Sequence, residues 1–388
     1  MFCRGQLNVM SPPPSPPGAF CISRRSHFAH APRKMNNPAT AVTLKTVARE
    51  SGYSLATVGY ILRQKNLERF PEKTRRHVQA VAARLNYKPS VAARSMRKRD
   101  SGCIAMLIRH ETKETHPANL PGVEYMLGIQ HALSAQGRHL ILVTVAELGQ
   151  NLQEETPLIF RENIVDGLIV EFGVPSHVRA IIRKSGIPVV WLDTDKQTAR
   201  NCIFPDEPHN VALAFDHLVA NGYKHITYTG TTLKESDHPS AAARLAAFHA
   251  SASAHTQATR SARCEVLLRG DEPDTQALLS CLHDYMKRGH SRSSVLLTYD
   301  LQYAYYAILT AAKLGLRTPD EMAVFSLDNA RMLQGAWPFI SAINLDRHRM
   351  GHTAVEMLLQ LVANPARQLT SRIVRGSIFP GESCVSQI

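Results

Sequence analysis

The 388-residue sequence contains no apolar run of about eighteen residues, the length that a membrane-spanning helix requires. Its seven cysteines are scattered and form no CxxC pair, which argues against a disulfide framework and against a zinc ribbon. The HExxH, GxSxG and Walker motifs of common enzyme classes are also missing. We therefore expect a cytoplasmic protein that is not an enzyme and that binds no metal ion and no cofactor.

Acidic residues are scarce at the front of the chain. Residues 1–40 contain five Lys or Arg and no acid, and residues 41–99 contain fourteen Lys or Arg against three acids. The remaining residues, 100–388, have 26 basic and 29 acidic side chains, so the net charge of +13 comes from the front. A local basic surplus is typical of a surface that neutralises DNA phosphates. A solvated basic face would give the same count, so charge alone does not decide.

The length of the chain predicts two or three domains, and 44% hydrophobic with 20% charged residues is typical of globular proteins. Residues 1–40 differ from the rest, because they are rich in proline at 11–17 and show neither apolar periodicity nor a signal-peptide pattern. We expect a disordered extension there, with Met35 as a hypothetical true start.

Residues 41–88 have the pattern of three short helices, predicted at 44–50, 55–64 and 71–85. Thr43 and Ser54 stand where N-caps are expected, and Gly52 provides a stop between them. Two short helices joined by Ser-Gly-Tyr-Ser are typical of a helix-turn-helix, which lays its second helix in the major groove. Many small bundles share this pattern, so it is weak evidence by itself.

From residue 101 onward, apolar β-rich runs alternate with helical patterns. The predicted strands are Cys103–Ile108, Leu140–Val145, Gly167–Val170, Pro188–Leu192, His225–Thr229, Val295–Thr298 and Met322–Leu327. This alternation predicts βαβ units and parallel sheets. Residues 89–100, rich in Ala and Arg, are predicted to be a linker that can become helical.

Many ordered motifs resemble the lactose-repressor/galactose-repressor (LacI/GalR) family. They are Val42–Ala48, Gly52, Ser54, Thr57-Val58, Ile61-Leu62, Thr74-Arg75, Leu85–Pro89, Ala93–Met96, Ile164–Gly167, Gly186–Val190, Leu218–Ile226, Leu314–Asp320 and Val374–Ser377. The resemblance spans roughly residues 43–380, and the number of motifs in order makes it specific.

The resemblance implies an α/β protein with an all-α helix-turn-helix head and a hinge, followed by a two-lobed core like that of periplasmic binding proteins, with parallel sheets flanked by helices. The expected domains are the extension 1–40, the DNA-binding domain 41–88, the hinge 89–100 and the effector-binding and dimerisation core 101–388. Within the core, we expect one lobe at about 101–204 and 330–355 and the other at about 205–329 and 356–388.

The implied function is that of a transcription repressor whose affinity for operator DNA is controlled by a small molecule, a sugar or related metabolite, bound between the lobes. The implied partners are a pseudo-palindromic operator, the effector and a second copy of the chain, with no membrane. An extracytoplasmic solute receptor is one alternative, but it would need a signal peptide and no DNA-binding head. An enzyme on the same core is another, but Asp193 and Asp195 lack a catalytic motif, and Asp193 is more simply a strand-end residue.

The head residues predicted to contact DNA are Lys45, Ser54, Leu55, Ala56, Thr57, Tyr60, Arg75 and Arg76. Leu55, Ala56 and Tyr60 would read bases through thymine methyl groups and a phenolic hydroxyl. Alternatively, Leu55 and Tyr60 pack within the head. Thr57 and the basic side chains would position phosphates, although each basic side chain taken singly could be ordinary solvated surface.

In the hinge, the resemblance assigns Ala93, Arg94 and Met96 to DNA contact. It implies that the hinge folds only on the operator and that Met96 wedges into the minor groove and kinks the duplex. Ordering on binding suits a segment too short to be a stable helix alone. The alternative is an ordinary linker with one exposed methionine.

Family register places Arg244, Asp300, Asp328 and Trp337 at the effector site. A ligand with several hydroxyls needs convergent charged hydrogen-bonding groups, which Arg and Asp supply. The functional interpretation is favoured for Arg244 and Asp300. For Asp328 and Trp337, an ion pair, a strand-end cap or a core aromatic is the simpler interpretation.

The chain departs from the family pattern at both predicted sites. In the second helix, Ala56 and Gly59 stand where the family usually has Ser, and Tyr60 where it has Arg, which predicts an unusual base preference. In the core, the Asp-Asn-x-x-Gly turn of the family reads Asp206-Glu207-Pro208-His209-Asn210, and its Asn-Asp pair reads Tyr299-Asp300. Both core changes concern the effector rather than the fold.

Overall fold

The computed structural model describes residues 42–64, 66–88, 100–109, 122–145, 158–162, 164–174, 176–194, 200–231, 238–259, 263–269, 275–288, 291–329 and 339–386. The chain divides into two compact units, with the division after Pro89. The first unit holds the predicted head, and the second holds the predicted core. The predicted extension and Met35 lie outside the described residues.

The head consists of helices α1 (Leu44–Ser51), α2 (Leu55–Leu62) and α3 (Glu72–Arg84), with a 3₁₀ turn at Leu67–Arg69. Both predicted N-caps are confirmed, since Thr43 Oγ1 accepts a hydrogen bond from Thr46 N at 3.3 Å and Ser54 Oγ accepts one from Thr57 N at 3.1 Å. The α2 helix ends earlier than expected because Gln64 has a left-handed backbone, with φ of 52°. The helices enclose a small core of Val47, Val58, Ile61, Val78, Val81 and Ala82.

Gly59 lies in the interior of α2 without a packing reason to be glycine. A Cβ at this position would meet Leu44 Cδ2 at 3.6 Å, which is an ordinary contact. We therefore expect Gly59→Ala to stabilise the head by about 0.5–1 kcal/mol, because alanine loses less backbone entropy on folding. Hydrogen exchange of the α2 amides in the full chain measures this, and unchanged or faster exchange would contradict it.

The core contains two sheets of six strands each within the described residues. In the first sheet the order is β11-β5-β4-β3-β1-β2, and in the second it is β12-β10-β9-β8-β6-β7. The strands are β1 (Cys103–Arg109), β2 (His139–Val145), β3 (Gly167–Glu171), β4 (Val189–Leu192), β5 (Cys202–Pro205), β6 (His225–Thr231), β7 (Arg263–Arg269), β8 (Ser294–Thr298), β9 (Ala323–Ser326), β10 (Ser341–Asn344), β11 (Arg372–Val374) and β12 (Ser377–Phe379).

Helices alternate with these strands, as the sequence predicts. They are α4 (Gly122–Ala135), α5 (Leu158–Arg161), α6 (Ser176–Ser185), α7 (Glu207–Ala220), α8 (Pro239–Thr259), α9 (Thr275–Lys287), α10 (Leu301–Lys313) and α11 (Arg347–Ala363). All strand pairs are parallel except that of β10 with β12. Strands β8 and β9 are buried along their whole length, because helices cover both faces of such sheets.

The expected lobe boundaries are wrong in the last third of the chain. We expected 330–355 in the first lobe, but β10 pairs beside β9 in the second sheet. Conversely, 356–388 does not belong wholly to the second lobe, since β11 pairs with β5 of the first sheet. The α11 helix also joins the first lobe, because its apolar side chains, including Met350 and Leu358, pack with Tyr125 and Ile129 of α4. The chain therefore crosses between the lobes three times, as expected, but the last two crossings come later in the sequence, between β10 and α11 and between β11 and β12.

Helices α4 and α11 approach each other closely at two glycines. A Cβ on Gly128 would lie 2.0 Å from the carbonyl oxygen of His348, and one on Gly351 would lie 2.3 Å from that of Tyr125. Both contacts are with backbone atoms, which cannot rotate away.

Among the described residues, no helix combines the length and apolar character needed to cross a bilayer.

Candidate functional site

The second helix of the head, α2, presents its predicted base-reading side chains to the outside. Leu55 is 44% exposed and Tyr60 is 46% exposed, and Ala56 is exposed as well. Neither Leu55 nor Tyr60 belongs to the buried core of the head, although the Tyr60 ring lies 6.3 Å from that of Phe70. The alternative in which both pack inside the head therefore does not describe this structure. Their contact with bases stays a prediction.

The other predicted DNA contacts of the head occupy varied environments. Ser54 and Lys45 are exposed, and the Ser54 Oγ lies 2.9 Å from the Thr57 hydroxyl while it caps α2. Arg76 forms an exposed ion pair with Glu72 on α3. Arg75 is half-buried, and within the described part of the chain its Nε atom has no hydrogen-bond partner. The predicted hinge contacts Ala93, Arg94 and Met96 lie outside the described residues, and so does Trp337 of the core.

Three of the predicted effector residues lie at the carboxyl edge of the second sheet, where open parallel sheets characteristically bind ligands. We define the carboxyl-edge cluster as Glu207, Arg244, Tyr299, Asp300, Asp328, Asn329 and Arg347. Asp300 follows β8, Asp328 follows β9, and Arg244 comes from α8 after β6. These three interact electrostatically, since the pKa of Asp300 responds to both of the other charges. Their role in ligand binding stays a prediction.

The guanidinium of Arg244 is buried and forms hydrogen bonds with the carboxylate of Glu207. Its Nε and Nη2 atoms donate to Glu207 Oε2 and Oε1, each at 2.8 Å, and its Nη1 donates to the Tyr299 carbonyl oxygen at 2.6 Å. The guanidinium also lies 4.9 Å from the centre of the Tyr299 ring. Arg244 is 3% exposed and Glu207 7%. Burial would lower the pKa of Arg244, but the Glu207 carboxylate outweighs it and raises that pKa.

Arg347 and Asp328 form a second buried pair. Arg347 Nη2 donates to both carboxylate oxygens of Asp328 at 2.6 Å, and Nη1 donates to the Asn329 carbonyl oxygen at 2.8 Å. Burial would raise the pKa of Asp328, but Arg347 lowers it below its usual value. The side-chain amide of Asn329, 1% exposed, has no hydrogen-bond partner among the described residues at either Oδ1 or Nδ2. Orphaned buried polar atoms of this kind are rare, so the Asn329 amide keeps unused hydrogen-bonding capacity.

Asp300 is the carboxylate of the cluster without an arginine of its own. It is the N-cap of α10, where Oδ1 accepts a hydrogen bond from Tyr303 N at 3.0 Å. Burial raises the pKa of Asp300 to about 6. The group therefore changes its protonation close to neutral pH.

We expect this shift to make stability fall as pH rises from about 4 to about 6. The unfolded chain ionises Asp300 near its ordinary pKa of 3.8, so between the two pKa values only the folded state keeps the proton. The cost of ionising the buried carboxylate therefore grows across this range and is complete above about pH 6. Urea unfolding of the wild type and Asp300→Asn between pH 4 and pH 8 tests this. The stability difference should change up to about pH 6 and then level off, whereas a pH-independent difference would contradict it.

A run of hydrogen bonds joins the two lobes near the cluster. Asp193, directly after β4 of the first sheet, accepts from the Tyr125 hydroxyl at 2.9 Å, and its carbonyl oxygen lies 3.2 Å from His238 Nε2. His238 Nδ1 lies 2.8 Å from Ser240 Oγ, which lies 2.8 Å from the Tyr299 hydroxyl. The backbone carbonyl oxygen of Tyr299 in turn accepts a hydrogen bond from Arg244 Nη1. The contact therefore connects the edge of the first lobe to the predicted effector residue.

Sequence reasoning missed several of these residues. Arg347, Asn329 and His238 carry no motif, and only the fold brings them to the cluster. Glu207 and Tyr299 were visible as departures from the family pattern. The hydrogen bonds that both residues form with Arg244 could not be seen in the sequence.

Known protein families match parts of both the head and the core. A model described as bacterial regulatory proteins, lacI family, matches residues 43–90, and one described as periplasmic binding protein-like domain matches residues 215–384. The HTH-type transcriptional repressor PurR of Aliivibrio fischeri (strain MJ11) is 28% identical over 325 residues, which cover 82% of this chain and 91% of that protein.

Two solved structures show the same fold. The lac repressor dimer bound to operator and the anti-inducer ONPF superposes with a TM-score of 0.69 at 22% identity, covering 89% of this chain and 99% of that one. The transcriptional regulator CelR in complex with cellobiose gives 0.59 at 16% identity, covering 88% and 99%. With a capped helix-turn-helix head, a core of two parallel sheets and relatives that match across both, this chain is similar over most of its length to the LacI/GalR family of DNA-binding transcriptional regulators.

Proposed function

We propose that this protein is a repressor whose head binds operator DNA and whose core binds a small polar effector, a sugar or related metabolite, that changes operator affinity. The observation that carries the proposal is the exposed set of Leu55, Ala56 and Tyr60 on the second helix of a strongly basic head. The relatives support it by name: PurR is a transcriptional repressor, and the lac repressor is seen bound to operator. No catalytic role is assigned to the core, and the protein acts in the bacterial cytoplasm at the nucleoid.

The head combines apolar base contact with electrostatic attachment. Leu55 and Ala56 supply methyl contacts, and Tyr60 adds a hydroxyl, but none forms the bidentate fork by which Arg reads guanine. Thr57, Lys45 and the arginines at 75 and 76 hold phosphates and set the register on the duplex. We therefore propose an operator whose contacted bases include thymines. Two heads in a homodimer read a pseudo-palindrome, because half-site symmetry mirrors protein symmetry.

The core controls the head through linkage. Arg244 and Asp300, with Asp328 and Trp337, are proposed to line the effector site, and the CelR–cellobiose complex supports a sugar by analogy. A ligand that favours one arrangement of the lobes shifts operator affinity by no more than its differential affinity for the two arrangements. The Asp193–His238 contact between the lobes is a candidate for the bond that differs between them. The effector can act as an inducer or as a corepressor under this scheme.

We expect Met96→Ala to weaken operator binding and to reduce DNA bending. An apolar side chain inserted into the minor groove unstacks a base step, and alanine is too short to replace it. Gel-phasing assays with the full-length protein measure the bend directly. Met10→Ala, in the predicted extension, is the matched control. An unchanged bend angle in Met96→Ala would remove the wedge role.

The proposed function is tested by selection of genomic DNA fragments with the purified full-length protein. We expect at least one chromosomal fragment to bind about a thousandfold more tightly than random DNA, with affinity that falls steeply between about 50 and 200 mM salt. Replacement of Leu55, Ala56 and Tyr60 together should remove the preference but keep the salt dependence. Equal binding to genomic and random DNA, with and without a panel of metabolites, would overturn the proposal.

A further inference from the structure

Both buried cations of the carboxyl-edge cluster are already neutralised from within. Arg244 is held by Glu207 through two hydrogen bonds of 2.8 Å, and Arg347 is held by both oxygens of Asp328 at 2.6 Å. The two-nitrogen fork of Arg244 on Glu207 is the geometry by which Arg would otherwise recognise a carboxylate or phosphate ligand, whereas Arg347 holds Asp328 through Nη2 alone. Neither guanidinium therefore has its charge available to an anionic guest.

The remaining charge of the cluster is negative. Asp300 forms no salt bridge within 4.0 Å among the described residues, so the cluster has three carboxylates against two guanidinium groups. Asp193 adds a further carboxylate at the facing edge of the first lobe, where its carboxylate lies 3.8 Å from His238 Nε2. An anion entering this region meets the unpaired carboxylate of Asp300, and among the described residues both guanidinium groups of the cluster are already paired with carboxylates.

Glu207 is the residue that neutralises the charge of Arg244. It is the first residue of α7, capped by Asp206, and its side chain points into the protein with 7% exposure. In the family pattern that this chain resembles, a neutral Asn stands at this position. The carboxylate of Glu207 neutralises Arg244 in a buried ion pair.

We propose that this site selects an effector without an anionic group, an unphosphorylated and non-acidic polyhydroxylated molecule, and that Glu207 determines that selectivity. The inference rests on the proposed function, because it concerns the ligand of the same site. Hydroxyl groups can donate to the carboxylates of Asp300 and Asp328 and can satisfy the unpartnered amide of Asn329. A phosphate ester of the same molecule cannot donate at its phosphate and is repelled by the carboxylates.

The first test compares matched ligand pairs with the wild-type full chain. Thermal shift and calorimetry are run with ribose and ribose 5-phosphate, glucose and glucose 6-phosphate, and fructose and fructose 6-phosphate. We expect any member that binds to be the unphosphorylated one, with its ester at least about tenfold weaker. An ester that binds more tightly than its parent sugar would overturn the proposal.

The second test uses Glu207→Gln and inorganic phosphate. This variant keeps the size of the side chain but frees the charge of Arg244, so phosphate should bind it and raise its melting temperature while leaving the wild type unchanged. Glu265→Gln is the matched control, because Glu265 pairs with Arg288 at 3.5 Å on the exposed surface, and it should not gain phosphate binding. Equal phosphate response of the wild type and Glu207→Gln would overturn the role of Glu207.

Each test can decide the proposal when the other gives no result. If Glu207→Gln does not fold even with phosphate, the sugar pairs decide, and if no sugar in the panel binds, the phosphate response of the variant decides. Neither test measures DNA binding. A protein that prefers no chromosomal fragment would refute the proposed function, whereas a protein with an operator and a preference for phosphate esters would refute only the selectivity.

Discussion

Arg244→Ala is expected to destabilise the core by about 3–5 kcal/mol, because it leaves the Glu207 carboxylate buried without a partner. The pair is the most enclosed ion pair of the described core, with side chains 4% and 9% exposed. Urea unfolding of the full chain measures the change. The matched control is Arg288→Ala, which removes an exposed partner of Glu265 and should cost less than about 1 kcal/mol.

The double variant Arg244→Met with Glu207→Leu separates charge from packing. Replacing both members by apolar residues of similar size removes the uncompensated charge, so most of the lost stability should return. Both variants should bind operator while they are folded but fail to respond to effector. A single variant as stable as the wild type would refute the energetic role of the pair, and normal ligand response would refute the assignment of Arg244 to the effector site.

Gly128→Ala is expected to cost at least about 3 kcal/mol, which exceeds the roughly 1 kcal/mol that alanine gains over glycine in a helix. Its Cβ would lie 2.0 Å from the carbonyl oxygen of His348, so α4 and α11 would have to separate. This separation would open the buried contacts of Ile129 with Met350 and Leu358.

Gly59→Ala is the internal comparison, since it makes the same change in a helix where the new Cβ meets only an ordinary contact. Urea unfolding should show the two variants moving in opposite directions. A Gly128→Ala protein with wild-type stability would contradict the close packing of α4 on α11.

Local signals made the head and seven of the twelve described strands predictable, whereas β5, β7, β10, β11 and β12 were not predicted. Thr43, Gly52 and Ser54 fix their helix ends through hydrogen bonds and backbone angles that reach only three or four residues along the chain. The buried strands are short apolar runs whose type follows from composition. These features depend on neighbours in sequence, and a sequence pattern therefore contains them.

Long-range partners could not be predicted in the same way. Glu207 meets Arg244 across 37 residues, and His238 meets Asp193 across 45. No local pattern specifies such a meeting, because it depends on how sheets and helices stack. The place of β10 in the second sheet was missed for the same reason, since strand order follows from packing rather than from the strand itself.

For the exposed residues of α2, the sequence predicted the helix but not which side chains it leaves exposed. The sequence left open whether Leu55 and Tyr60 read DNA or pack inside the head. Helical spacing alone could not decide, because both residues are apolar enough for a core. The structure leaves both about half exposed, since Val58 and Ile61 already fill the space between the helices.

The proposed function requires that the basic head binds a specific operator and that a ligand in the core changes the affinity of the head for it. The most direct measurement is the operator dissociation constant of the full-length protein, by fluorescence anisotropy, with and without a sugar that stabilises the core. A change of about 5- to 150-fold in the wild type, absent in Arg244→Ala, is the expected result. An operator affinity that stays constant at saturating sugar would contradict the claim.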